Sequence, residues 1–298
     1  MTMTLGGVLA PIPTPIDATD RVRPDMLRAA FARWLPTPLS GFVILGSNGE
    51  AALLDDAESD AVIAAARACV PRDRMLIAGT GRESTLATVA ASRRAAELGA
   101  DMVLVRTPGF FKTQMTAEVF VRHYTAVADE CPVPVLLYNF TAVTGVNLPV
   151  AAVQSLSQHP NIVGIKESGS DVAQVGDFFS ATTSDFAVLA GSSSTFYAAL
   201  CVGASGGILA LANVVPDACV RVYDLVKQKN HVQAREAQRQ LIPLGRLLGT
   251  TLGVAGLKAA LQMTGCDVGV PRPPLTPVAA GGLEALKAAL STFEEVRV

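Results

Sequence analysis

Eight short apolar runs, separated by helical patterns, constrain this sequence more than any other feature. They are Gly7–Ile12, Gly41–Leu45, Arg74–Ala78, Asp101–Val105, Pro134–Tyr138, Asn161–Lys166, Phe186–Ala190 and Ser205–Leu209. Each run is continuous rather than alternating, the pattern of a parallel strand covered on both faces. Between them, Asp55-Asp56-Ala57-Glu58 reads as a capping box opening a helix to Cys69. Ser84 opens an alanine-rich helix that stops at Gly99, and further helices are expected over Thr116–Glu130, Pro149–Gln158, Val172–Ser180 and Thr195–Cys201. Eight strands, each followed by a helix or turn, meet the requirement of a (β/α)8 TIM barrel. An open doubly wound sheet is the competitor, and the absence of a Rossmann glycine fingerprint favours closure. Strand signals cease near Pro216. Helical patterns then cover Asp217–Lys229, Val232–Leu248, Val254–Met263 and Leu283–Glu295. The expected organisation is a catalytic barrel over residues 1–215 and a C-terminal helical extension over 216–298, whose apolar Val222, Leu225 and Val226 suit an oligomerisation surface.

Half of the 298 residues are hydrophobic and 17% are charged, which suits a large core and excludes a disordered chain. The net charge is −2, with no Lys/Arg run or basic stripe, so neither nucleic acid nor an anionic membrane is an expected partner. The five cysteines are scattered and odd in number, and read as small core hydrophobes in a reducing compartment. Met1 to Pro15 lacks the basic and apolar regions of a signal peptide, and no apolar stretch reaches the roughly 20 residues needed to span a bilayer. A cytoplasmic protein is expected. His123, His159 and His231 form no HxH or HExxH pair, so no metal and no cofactor are expected.

In a barrel the active site lies at the C-terminal strand ends. Those ends carry Ser47-Asn48-Gly49-Glu50, Gly79-Thr80-Gly81, Thr107-Pro108-Gly109-Phe110, Tyr138-Asn139, Lys166-Glu167-Ser168 and Gly191-Ser192-Ser193-Ser194. Lys166 is the sharpest of these, a single ammonium at the tip of an apolar strand. Lysine is rarely buried unless paired or used, and a desolvated amine attacks carbonyls to form Schiff bases. The structural alternative is a salt bridge with its neighbour Glu167. Tyr138 would serve as the proton shuttle or, alternatively, as a core aromatic with a wet hydroxyl. Ser47 and Asn48 suit a carboxylate ahead of a helix or an ordinary βα turn. The glycine-rich runs at Gly79 and Gly191 lack the lysine of a phosphate loop and read as tight turns.

Gly46-Ser47-Asn48-Gly49-Glu50, Tyr138-Asn139 and Gly164-Ile165-Lys166-Glu167-Ser168 together resemble the dihydrodipicolinate synthase / N-acetylneuraminate lyase family over nearly the whole chain. The resemblance implies a TIM barrel with a C-terminal helical domain, a homotetramer and class I chemistry. Lys166 would condense with pyruvate or another 2-keto acid, Tyr138 would move protons, and Ser47 would assist. Ser47 and Asn48 would hold the keto-acid carboxylate. Ile208 would pack near the pyruvate methyl, and Gly191 and Ser168 count with the substrate-binding residues.

Two departures from the family pattern bear on the second substrate. Val143 stands where dihydrodipicolinate synthases carry an arginine for the distal carboxylate. Phe110 stands where a tyrosine is lent to the neighbouring subunit's relay. Leu156-Ser157-Gln158-His159-Pro160-Asn161-Ile162-Val163-Gly164 and Leu209-Ala210-Leu211-Ala212-Asn213-Val214 are most similar to the 4-hydroxy-2-oxoglutarate aldolase branch, which yields pyruvate and glyoxylate. The expected function is that cleavage. The alternatives are dihydrodipicolinate synthase, a sugar-acid aldolase or dehydratase, and, outside enzymes, a degenerate keto-acid sensor.

Overall fold

The computed structural model describes residues 5–293. Its eight strands are β1 (Gly7–Pro11), β2 (Gly41–Ile44), β3 (Met75–Gly79), β4 (Met102–Arg106), β5 (Val135–Asn139), β6 (Ile162–Glu167), β7 (Ala187–Ala190) and β8 (Gly206–Ile208). All pair in parallel with their sequence neighbours, and β1 pairs with β8 to close the barrel. Most predicted strand ends move by one residue, and three of the shifts matter for the site. The fourth, fifth and sixth strands continue through Arg106, Asn139 and Glu167, polar residues at which the apolar runs had stopped.

Eight helices fill the seven connections between the strands, two of them between β5 and β6: α1 (Leu27–Trp34), α2 (Asp56–Cys69), α3 (Thr85–Glu97), α4 (Ala117–Glu130), α5 (Thr141–Thr144), α6 (Val150–Leu156), α7 (Val172–Ala181) and α8 (Phe196–Cys201). The Asp55/Glu58 capping box forms as expected, and Ser84 and Thr116 cap the starts of α3 and α4. Helix α1 was not expected. It buries Leu27, Ala30, Phe31 and Trp34, one face at i, i+3, i+4 and i+7.

The apolar interior has two parts. A narrow cluster inside the barrel contains Leu9, Val43, Ile77, Leu104, Leu136, Leu189 and Ile208. A larger layer between strands and helices contains Trp34, Phe42, Phe120, Tyr124, Phe178 and Phe196. This double covering is the reason that the strands are apolar on both faces.

Beyond β8 come α9 (Pro216–Lys227), α10 (His231–Arg246), α11 (Gly253–Met263) and α12 (Ala280–Leu290). The last predicted helix was carried to Glu295, which lies outside the described residues. These helices are fastened to the barrel by polar anchors. The Gln238 carboxamide accepts from Tyr197 N at 2.9 Å and donates to Ser193 O at 2.9 Å. Val222 and Leu225 are buried within the chain, and Val226 packs against the same core. The apolar stripe expected to face another subunit is therefore spent internally. Two cysteines also depart from expectation, since Cys201 is exposed and Cys69 only half-buried. No helix among the described residues is long and apolar enough to cross a membrane.

Candidate active site

Tyr138 and Lys166 are direct register partners on β5 and β6. In parallel strands such partners point to the same side, here the barrel interior, where Tyr138 joins the inner cluster. Lys166 is 4% exposed, and its Nζ lies 4.3 Å from the centroid of the Tyr138 ring. The ring face offers the ammonium a weak electrostatic partner. None of the ion pairs among the described residues involves Lys166.

The predicted alternative, a salt bridge to Glu167, does not form. Strand alternation turns Glu167 and Asn139 to the outer side. There Asn139 Nδ2 donates to Glu167 Oε2 at 2.6 Å, Gln174 Nε2 donates to the same oxygen at 2.9 Å, and Gly169 N donates to Oε1 at 2.5 Å. Burial pushes the Glu167 carboxyl above the usual range, against the lowering effect of these donors. The cluster fixes the ends of β5 and β6, and with them the spacing of Tyr138 and Lys166.

The Tyr138 hydroxyl lies 3.1 Å from Ser47 Oγ, and Ser47 is exposed at the barrel mouth. A chain of groups therefore runs from the buried amine past the phenol to a hydroxyl open to solvent. The Ser47 loop is held in a strained form. Leu45 and Glu50, which bracket it, have φ of +54° and +55°, a conformation costly for side-chain-bearing residues. Thr14 Oγ1 donates to Gly49 O at 2.6 Å. Glu50 is anchored by Lys258 Nζ at 2.5 Å and by the backbone N–H of Arg272 at 2.7 Å.

The remaining expected residues gather around the same mouth. Ser168 is two residues beyond Lys166. A Cβ on Gly191 would overlap the Ser168 hydroxyl and lie 2.8 Å from its Cα, so the close approach of the two loops requires glycine there. Ile208 is buried in the inner cluster. Asn48 is half-buried, and among the described residues its side chain and that of Ser168 make no hydrogen bond. Phe110 and Val143, by contrast, are 78% and 61% exposed, on the segments that follow β4 and β5.

Several polar residues at or near the mouth were not singled out from the sequence. Arg106 at the end of β4 donates from Nη1 to Glu83 Oε1 at 2.6 Å, while Glu83 Oε2 accepts from Gly109 N and Phe110 N at 3.0 and 2.9 Å. Asn139, Glu167 and Gln174 form the outer brace, and Lys258 and Arg272 hold the Ser47 loop from the C-terminal region. An interior phase of Met102, Leu104 and Arg106 was the available signal for the first of these. The others pair across long sequence separations and carry no local signature.

A model of the dihydrodipicolinate synthetase family matches residues 4–293. The chain belongs to that family. It is an enzyme of the pyruvate-dependent class I aldolase type. It is 32% identical over 291 residues to a 4-hydroxy-tetrahydrodipicolinate synthase from an Exiguobacterium species, covering 98% of this chain and 99% of that protein. It is 36% identical over 278 residues to the protein of the same name from Xanthomonas axonopodis pv. citri, covering 93% and 91%. Among solved structures, the chloride-inhibited dihydrodipicolinate synthase of Acinetobacter baumannii, complexed with pyruvate, superposes with a TM-score of 0.92 at 30% identity, covering 97% of this chain and 98% of that one. A prophage protein of the same family from E. coli K12, also complexed with pyruvate, gives 0.90 at 26%, with the same coverage.

Proposed function

We propose that Lys166 is the Schiff-base nucleophile for pyruvate or a 4-hydroxy-2-keto acid, with Tyr138 as proton shuttle and Ser47 as its link to solvent. The placement of the buried Lys166 amine against Tyr138, whose hydroxyl reaches Ser47, carries this reading. In the cleavage direction Nζ attacks the C2 carbonyl, and loss of water leaves an iminium on C2. The C4 hydroxyl gives up its proton, the C3–C4 bond breaks, and its electron pair moves into the enamine as the aldehyde leaves. Protonation at C3 and hydrolysis of the imine then release pyruvate and regenerate the amine. Tyr138, reaching Ser47, is placed to exchange the protons of these steps. Ser47 and Asn48 would hold the keto-acid carboxylate, with Ile208 and Gly191 shaping the pyruvate end. The chemistry needs no metal or cofactor.

Two readings of the second substrate stand, each with its own support. The names of the relatives favour 4-hydroxy-tetrahydrodipicolinate synthase, in which pyruvate condenses with aspartate semialdehyde, and they support it better than the aldolase reading drawn from the sequence. Val143 and Phe110, which supply neither a guanidinium nor a phenol, favour cleavage of 4-hydroxy-2-oxoglutarate instead. One or two loop residues reset the substrate on a shared barrel, so function is argued from the site. Initial rates with both substrates decide between them. Faster condensation with aspartate semialdehyde selects the synthase; faster pyruvate release from 4-hydroxy-2-oxoglutarate selects the aldolase. The chain is also expected to act in the cytoplasm as a homotetramer. The exposed Phe110 and Phe111, rather than the stripe on α9, are the surface apolar groups that favour assembly. A monomeric mass by light scattering at micromolar concentration would refute the assembly.

A further inference from the structure

Three neighbouring strands present same-phase residues at the mouth. Arg106 on β4 pairs in register with Tyr138 on β5, which pairs with Lys166 on β6. Adjacent strands lie about 4.8 Å apart, so Arg106 starts one strand spacing from the phenol and two from the amine. Met102 and Leu104, the preceding residues of the same phase, belong to the inner cluster. A guanidinium thus completes an inward series that is otherwise apolar.

The surroundings make room for it and hold it. A Cβ on Gly81, just beyond β3, would lie 2.7 Å from Arg106 Cγ, so the stem of the arginine occupies space that a side chain at Gly81 would fill. Glu83 binds Nη1, and Arg106 Nη1 also lies 3.3 Å from Thr107 O. Nε and Nη2 make no hydrogen bond among the described residues, and the side chain is 28% exposed. A guanidinium tethered at one nitrogen, with Nε and Nη2 unbonded among the described residues and the side chain part-exposed, is suited to a planar anion. Burial raises the Glu83 carboxyl, but Arg106 and the N–H groups of Phe110 and Gly109 outweigh it and hold Glu83 below the usual carboxylate range. The tether therefore stays anionic at neutral pH and keeps Arg106 oriented.

We infer that Arg106 receives the carboxylate of the aldehyde-derived half of the substrate, so that the second substrate is a carboxylate-bearing aldehyde. This inference rests on Schiff-base formation at Lys166. It fits both readings above, because glyoxylate and aspartate semialdehyde each carry a carboxylate. It assigns to the fourth strand the cation that Val143 does not provide.

The test compares wild type with Arg106→Leu and Arg106→Lys in three assays. They are cleavage of 4-hydroxy-2-oxoglutarate, cleavage of 4-hydroxy-2-oxopentanoate, in which a methyl replaces the distal carboxylate, and condensation of pyruvate with aspartate semialdehyde. Borohydride trapping of pyruvate at Lys166 runs alongside as the check on folding and on the Schiff base. The leucine variant should lose roughly 10- to 150-fold in kcat/KM for the carboxylate-bearing substrate relative to the methyl-ended one, and the lysine variant should recover part of the loss. Pyruvate should still be trapped. An unchanged preference between the two substrates overturns the assignment. So does a wild-type enzyme that traps pyruvate but uses neither carboxylate-bearing substrate. Failure of wild type to trap pyruvate is a separate result, which refutes the Schiff-base reading itself.

Discussion

Lys166 and Lys258 are almost equally buried, at 4% and 2% exposure, yet their surroundings are opposite. Lys258, on α11, places Nζ 2.5 Å from Glu50 Oε1 and 2.7 Å from Val270 O. Burial lowers its pKa, and the attraction of Glu50 opposes that shift. Lys166 has the face of Tyr138 and no ion pair among the described residues. Burial alone does not mark a reactive lysine. A buried ammonium that is fully paired serves the structure, here by tying the C-terminal region to the Ser47 loop. Lys166, with no carboxylate partner among the described residues, is the one proposed to engage a substrate.

Substituting the two lysines should produce opposite losses. Lys166→Ala should cut turnover by roughly 10⁴- to 10⁶-fold, as removal of a nucleophile does elsewhere, with little change in the urea midpoint. Lys258→Met should do the reverse. Removing one partner of a buried pair leaves Glu50 uncompensated and costs about 3–5 kcal/mol of stability, read from the same urea titration. If Lys258→Met abolishes pyruvate trapping in folded protein, or Lys166→Ala is the less stable variant, the division between the two lysines fails.

Removal of the proposed shuttle should have a smaller effect on rate. Tyr138→Phe keeps the ring beneath Lys166 and removes only the hydroxyl that reaches Ser47. Steady-state turnover should fall by roughly 10²- to 10⁴-fold, the usual scale of positioned acid–base groups. A kcat within a few-fold of wild type would remove Tyr138 from the proton path.

The smallest expected effect sharpens the contrast between paired and unpaired buried groups. His123 accepts or donates at Nδ1 with Thr85 Oγ1 at 2.9 Å, while its buried Nε2 has no partner among the described residues. Burial pushes its pKa down from 6.5 to about 4, against a raising effect of Glu83. Between those values the unfolded chain binds a proton that the folded chain does not, so stability falls as pH drops from 6.5 towards 4. The loss at the acid end of the window is about 3 kcal/mol. His123→Gln should show a shallower acid loss than wild type in urea titrations at pH 7 and pH 4.5. Equal losses in the two proteins would show that His123 does not drive this slope.

The barrel was legible because parallel strands covered on both faces leave apolar runs in the chain. The reading broke where function begins. Asp101–Val105 was ended before Arg106 because a charge marks the edge of an apolar run, yet at a barrel mouth that charge is the inward-facing end of the strand. Asn139 and Glu167 likewise fall just past the apolar runs, although they are the last residues of β5 and β6. The juxtaposition of Lys166, Tyr138 and Ser47 was legible because each sits in a compact local motif at a strand end. Lys258 was not, since its partner Glu50 lies on a distant loop and nothing near it in the sequence marks it as buried. Helix α1 carried a readable one-sided pattern, overlooked because its apolar face is limited to Leu27, Ala30, Phe31 and Trp34.

Of the two buried lysines, we assign Lys166 to chemistry and Lys258 to structure. Incubation with pyruvate, reduction by borohydride and peptide mass mapping test this assignment most directly. One reduced pyruvate per chain, on the peptide containing Lys166, with the Lys258 peptide unmodified, is the predicted result. Modification of Lys258, or no modification at Lys166, would contradict it.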